Sequence, residues 1–90
     1  MKFEWDSDKA AVNLDKHGVA FQEASTVFGD DLTMTAADPA HSKGEHRFVT
    51  FGMSCEKRIV AVAHTERGDK IRIISARLAT RAERKFYEEG

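Results

Sequence analysis

The chain has 90 residues, 41% hydrophobic and 32% charged, with a net charge of −1 and one cysteine. Those proportions suit one modest globular core, expected to span residues 1–90 as a single domain, and exclude a disordered chain. No apolar run approaches a membrane span, residues 1–6 lack the apolar stretch of a secretory signal, and the lone Cys55 cannot close an internal disulfide, so a reducing cytoplasm is the expected setting.

Lys2-Phe3-Glu4-Trp5 alternates and predicts a short strand with Phe3 and Trp5 inward. Asp6 is placed to cap a helix over 7–17, with His17 in its last turn and Gly18 at a left-handed C-terminal cap. A second helix is predicted over 20–28; Phe21, Ala24, Val27 and Phe28 form its apolar stripe and Gly29 ends it. The period then changes to two. Residues 32–35 predict a strand, 37–44 a loop around the only proline, Pro39, and 47–53 a strand with Val49, Phe51 and Met53 on one side and Phe48 and Thr50 on the other. After a turn at 54–57, the β-branched or small residues of 59–65 predict a central strand covered on both faces. Arg67-Gly68-Asp69 turns into a last strand over 70–77, and Thr80-Arg81-Ala82-Glu83 has the spacing of a capping box opening a final helix. Consecutive strands joined by tight turns run antiparallel. The expected fold is therefore α+β: an antiparallel sheet carrying two N-terminal helices and one C-terminal helix on one face, with the first strand free to join an edge.

The small net charge conceals a polarised chain. Residues 1–56 carry −5, residues 57–87 carry +6, and Glu88 and Glu89 restore the balance. A block of this kind can meet phosphates or simply form a solvated face.

The run His64-Thr65-Glu66-Arg67-Gly68-Asp69-Lys70-Ile71-Arg72-Ile73-Ile74-Ser75-Ala76-Arg77, followed by Ala79-Thr80-Arg81-Ala82-Glu83-Arg84 and Tyr87, resembles the signature of BrnT toxins. The opening is similar too, through Phe3-Glu4-Trp5-Asp6, Lys9-Ala10, Asn13, Lys16-His17-Gly18-Val19, Phe21 and Glu23-Ala24, as is the middle, through Asp38, His41, Gly44-Glu45 and Arg47. Ser7 stands where that family often has proline; both residues suit a first helical position. The resemblance implies a RelE-like fold, ribonuclease activity without a cofactor, and membership of a type II toxin–antitoxin system. It also implies neutralisation by a BrnA-like antitoxin, through which alone the complex would reach its operator DNA.

Cleaving RNA through the ribose 2′-hydroxyl needs a base to take the hydroxyl proton and fixed positive charge to hold the crowded anionic phosphate. Arginine suits the second role and, never losing its proton, not the first. Arg72 and Arg77 on the last strand are the candidate phosphate contacts, with Arg67 and Lys70 flanking the preceding turn and Arg84 one turn into the last helix; Lys9 is a further RNA contact. Residues an odd number apart on a strand face opposite ways, so Arg72 and Arg77 share a face only if a bulge or the strand's end re-aims one. His64 has the proton chemistry of a base but continues the apolar row of Val60 and Val62, as a core residue would. Glu66, two residues on, can act as base or orient an arginine, and Tyr87 can stack on a base or anchor its helix. Glu83 reads as a capping residue. His41, Glu45 and His46 lie close together but match no zinc motif, Cys55 has no histidine beside it, and there is no glycine-rich phosphate loop. The rival to an endoribonuclease is a non-catalytic module whose basic end docks an acidic partner or RNA.

Overall fold

The computed structural model describes residues 1–42 and 44–90. Its elements are β1 (Lys2–Glu4), α1 (Ser7–His17), α2 (Phe21–Thr26), β2 (Met34–Ala37), β3 (Arg47–Met53), β4 (Ile59–Arg67), β5 (Lys70–Leu78) and α3 (Arg81–Glu89), with single 3-10 turns at Val27–Gly29 and Pro39–His41. The helix ends are set by local chemistry. The Asp6 carboxylate accepts from the amides of Asp8 and Lys9 at 2.9 and 3.0 Å, and Gly18 takes φ 70° to end α1. Thr80 and Glu83 exchange both bonds of the capping box. The predicted second helix is shorter than its apolar stripe suggests, because Val27–Gly29 tightens into a 3-10 turn.

The strands form one sheet in the order β1-β5-β4-β3-β2. β2 to β5 are antiparallel neighbours, as expected of a meander, but β1 lies parallel to β5, with Phe3 opposite Ile71 and Glu4 opposite Arg72. The sheet is therefore mixed, not antiparallel throughout. Tight turns dictate direction only between consecutive strands, and β1 reaches its partner across two helices and the whole meander.

α1 and α2 cover one face. Val19, Phe21, Ala24 and Val27 pack on Val60, Val62, Ile73 and Ala76, and all eight are essentially removed from solvent. Phe3, Trp5 and Phe28 close the rim of this core, Trp5 edge-on to Phe21 at 6.0 Å. Past residue 72, β5 has no strand beyond it. There the buried Asn13 of α1 accepts from the Ala76 amide and donates to the Ala76 carbonyl, at 3.1 and 2.8 Å, supplying the bonds of an absent neighbour. The buried Glu23 of α2 receives the guanidinium of Arg58 and the hydroxyl of Ser54, and the arginine holds its carboxyl below the usual range.

α3 departs from the expectation that all helices share one face. Glu83 binds Arg77, and Ala82 and Phe86 border Phe51; Phe51 and Arg77 both pair with Ala61 and so project from the face opposite α1 and α2. The capping box fixes where this helix starts, but its docking is set by the Arg77–Glu83 pair and by Tyr87, whose hydroxyl donates to Asp30.

Candidate nucleic-acid interface

Among the described residues no helix lies over the rest of that second sheet face, where Ala61 and Thr65 are shielded by neighbouring side chains, and a bulge decides what it carries. Down the β4–β5 ladder, Val62 pairs with Ala76 and Ala63 with Ser75, but His64 then pairs with Ile73 and Thr65 with Arg72, leaving Ile74 as an extra residue in β5. Arg77 pairs with Ala61 and Arg72 with Thr65. Those two partners are an even number apart on a regular strand, so both arginines rise from the same face despite their odd spacing.

The register also assembles a cross-strand row. Arg47 of β3 is opposite Thr65, which is opposite Arg72, which is opposite Glu4 of β1. Arg67 and Lys70, paired at the end of the β4–β5 ladder, continue the same face. Thr65 is 2% exposed and its hydroxyl has no hydrogen-bond partner among the described residues. Four of the five cations are held by carboxylates: Arg72 on Glu4 at 3.0 Å, Arg77 on Glu83 at 2.7 and 3.0 Å, Arg67 on Glu45 at 3.7 Å and Lys70 on Glu4 at 4.0 Å. Arg47 has no acidic partner among the described residues. The Glu4 and Glu45 pairs remain partly in water and contribute little to stability, so these carboxylates orient Arg67, Lys70 and Arg72 yet can be exchanged for phosphate oxygens, whereas Arg77 is held by both oxygens of Glu83.

Beside the row, Arg47 and Arg77 wall a cleft of about 250 Å³ floored by the small residues Val49, Ala61, Ala63 and Ser75 and bordered by Asp38 and His41. The segment that brings His41 there is pinned at its base. The Asp38 amide donates to the Arg47 carbonyl at 2.8 Å, and the Ser42 hydroxyl donates to the Asp38 carbonyl while accepting from the Arg47 amide. His41 Nδ1 lies 3.1 and 3.0 Å from the two Asp38 carboxylate oxygens.

Arg67, Lys70, Arg72 and Arg77 are thus gathered on one face, and the other candidates lie apart from it. His64 is 2% exposed on the helix-covered face, between Phe28 and Phe48, with Nε2 2.7 Å from the Thr50 hydroxyl. Burial lowers its pKa, and no phosphate can reach it there. Glu66 pairs with Ile71 and so points to that same side, away from the arginines. Tyr87 is a buried anchor: its bond to Asp30 pushes the phenol up to about 12, which removes it from proton transfer near neutrality. Lys9 lies across the β5 edge, in a groove with Val12, Lys16, Ile74 and Ser75, and Arg84 lies beside Met53, Leu78 and Glu88, outside the cleft walled by Arg47 and Arg77. Arg47, Asp38 and His41 enter the sequence reading through the resemblance, and His41 also as a zinc ligand judged against, but none of them as an RNA contact or catalyst. The available signal was parity, since Arg47 shares the Val49–Phe51–Met53 side of its strand and that side proves to be the open face.

The chain matches, over residues 5–83, the family model described as the ribonuclease toxin BrnT of type II toxin–antitoxin systems. Comparison with curated protein sequences finds no match. Among solved structures, it is similar to the 1.1 Å crystal structure of the Brucella abortus ribonuclease toxin BrnT, with 26% sequence identity, a TM-score of 0.65, and 90% of this chain and 99% of that one covered.

Proposed function

The chain belongs to the BrnT family of ribonuclease toxins, whose type II toxin–antitoxin setting implies an antitoxin partner, and on that basis we propose that its open sheet face binds and cleaves RNA. The observation that supports this most directly is the bulge at Ile74, which brings Arg72 and Arg77 to the same face as Arg47. Two guanidinium groups, those of Arg47 and Arg77, wall a floor of small side chains, and Arg72 rises from the same face; these match what a phosphodiester requires: planar forks of donors for its oxygens, and fixed charge where negative charge grows during attack. None of this requires a metal, and the reading is of a metal-independent endoribonuclease that stops translation and growth in the cytoplasm. With it come a RelE-like fold, a BrnA-like antitoxin as the neutralising partner, and operator DNA reached only through that antitoxin.

The test is expression of the chain alone in bacteria, together with incubation of the purified chain with bulk bacterial RNA and with a translating extract, in the presence of a chelator. Growth arrest and RNA cleavage are expected, and Arg72→Ala and Arg77→Ala, verified as folded, should lose both. If the purified chain binds RNA or an acidic partner but never cuts RNA, it is the non-catalytic docking module. If the arginine variants stay folded and fully toxic, the chemistry lies elsewhere.

A further inference from the structure

We propose that His41, held by Asp38, is the general base of this site; the inference rests on the ribonuclease reading above. Arginine can hold a phosphate but cannot accept the proton of a 2′-hydroxyl, and His64, Glu66 and Tyr87 do not face the arginines. His41 does. It borders the cleft with Arg47 and Arg77, and its side chain is 64% exposed.

Asp38 decides which nitrogen is available. A carboxylate only accepts hydrogen bonds, so the Nδ1 atom facing both its oxygens must carry the hydrogen. In neutral imidazole that leaves Nε2 with a free lone pair, able to accept a proton. The geometry is a base oriented by an acid and facing cations, the arrangement used to activate a hydroxyl nucleophile.

The step is a transesterification. His41 Nε2 takes the proton of the ribose 2′-hydroxyl as O2′ bonds to the adjacent phosphorus, and Arg47 and Arg77 hold the phosphate oxygens. The bond from phosphorus to the 5′-oxygen breaks, and that oxygen takes a proton from solvent. The products are a 2′,3′-cyclic phosphate and a 5′-hydroxyl, and His41 returns its proton to solvent. Nothing is oxidised or reduced, and no co-reactant is needed.

The experiment follows single-turnover cleavage of bulk RNA, alone and in a translating extract, by the wild-type chain and by His41→Ala, Asp38→Ala, Arg77→Ala and, as a control histidine remote from the cleft, His17→Ala. Binding is measured on RNA carrying 2′-deoxyribose, which cannot be cut. His41→Ala should lose roughly 100- to 10,000-fold in rate, keep its affinity for the uncleavable RNA, and regain rate with added imidazole. Asp38→Ala should lower the rate with affinity unchanged. Arg77→Ala should weaken binding as well, and His17→Ala should match wild type. The wild-type rate should fall on the acid side as a base is protonated, and this limb should vanish in His41→Ala; among the described residues the other charged groups lining the cleft are Asp38, Arg47 and Arg77, the last paired with Glu83. Wild-type products ending in a 3′-hydroxyl, or a folded His41→Ala that cuts at the wild-type rate, would overturn the dyad while leaving the ribonuclease reading intact. A wild-type chain that cuts no RNA in either setting overturns both.

Discussion

His64 lies between Phe28 and Phe48 at ring-centroid distances of 5.0 and 5.8 Å, bonded through Nε2 to Thr50, which in turn bonds Thr35 at 2.8 Å. Its Nδ1 has no partner among the described residues. Burial lowers its pKa from the ordinary 6.5, with Glu66 acting weakly in the other direction. The unfolded chain therefore takes up this proton first, so stability present at higher pH is lost as pH falls through the 6.5 region. His64→Phe should flatten the fall in melting temperature between about pH 7.5 and pH 5.5, because it removes the titrating group, keeps an aromatic ring between Phe28 and Phe48, and leaves Thr50 with Thr35 as a partner. It should also leave the RNA cleavage rate of folded protein unchanged, since the side chain is on the covered face. A variant with normal stability and no cleavage would return His64 to the site. Val60, Val62 and His64 share one side of β4, but parity alone does not say which side a helix covers.

At the scale of elements, caps and turns were readable because each depends on residues close in sequence: Asp6, Gly18 and Thr80 do what their side chains and backbone freedom allow. The parallel β1–β5 pair, the bulge at Ile74 and the docking of α3 were not readable, since each is decided by partners far away in the chain. Gly52 is a case of such a distant partner. It lies opposite Val60 beneath the 3-10 turn, and a Cβ there would approach Val27 Cγ1 and Thr33 Cγ2 to 2.8 Å. Both neighbours are β-branched and stiff, so Gly52→Ala should destabilise by roughly 1–3 kcal/mol in a denaturant titration; a wild-type midpoint would mean the turn yields freely. α3 has a different dependence. Glu83 caps the helix and binds Arg77, which holds its carboxyl at about 2, below the ordinary 4.5. A depressed carboxyl contributes stability that is complete above pH 4.5 and disappears as pH falls through about 2. The Tyr87 ring resonances, followed by NMR, should report α3 leaving the sheet across that window, and Glu83→Gln should reduce the dependence, leaving the part due to Asp30, which accepts from Tyr87 and is also a lowered carboxyl. An identical acid transition in Glu83→Gln would show that the pair does not hold the helix.

Across the whole molecule, folding converts a charge gradient along the chain into a charged face. Arg47, from the half that carries −5, joins Arg67, Lys70, Arg72 and Arg77, from the half that carries +6. An antitoxin that silences the toxin can cover this face or act from elsewhere. The face favours direct cover: an acidic segment laid over the arginines would replace Glu4, Glu45 and Glu83 as their partners and exclude RNA at the same time. The alternative is the groove of about 350 Å³ between α1 and β5, where Val12 and Ile74 give an apolar lining beside Lys9 and Lys16. The two sites make opposite demands on RNA. With an uncleavable labelled RNA bound to a His41→Ala chain, titration with antitoxin should release the RNA, and antitoxin affinity should fall in Arg72→Ala and Arg77→Ala. It should also weaken as salt rises, because contacts made through partly exposed charges are screened over about 8 Å at physiological ionic strength. A stable complex of toxin, RNA and antitoxin, with affinity indifferent to salt, would place the antitoxin in the α1–β5 groove and make inhibition indirect. Release of RNA with a steep salt dependence is the expected result, because the arginines that would hold RNA phosphates are the same groups an acidic segment would occupy.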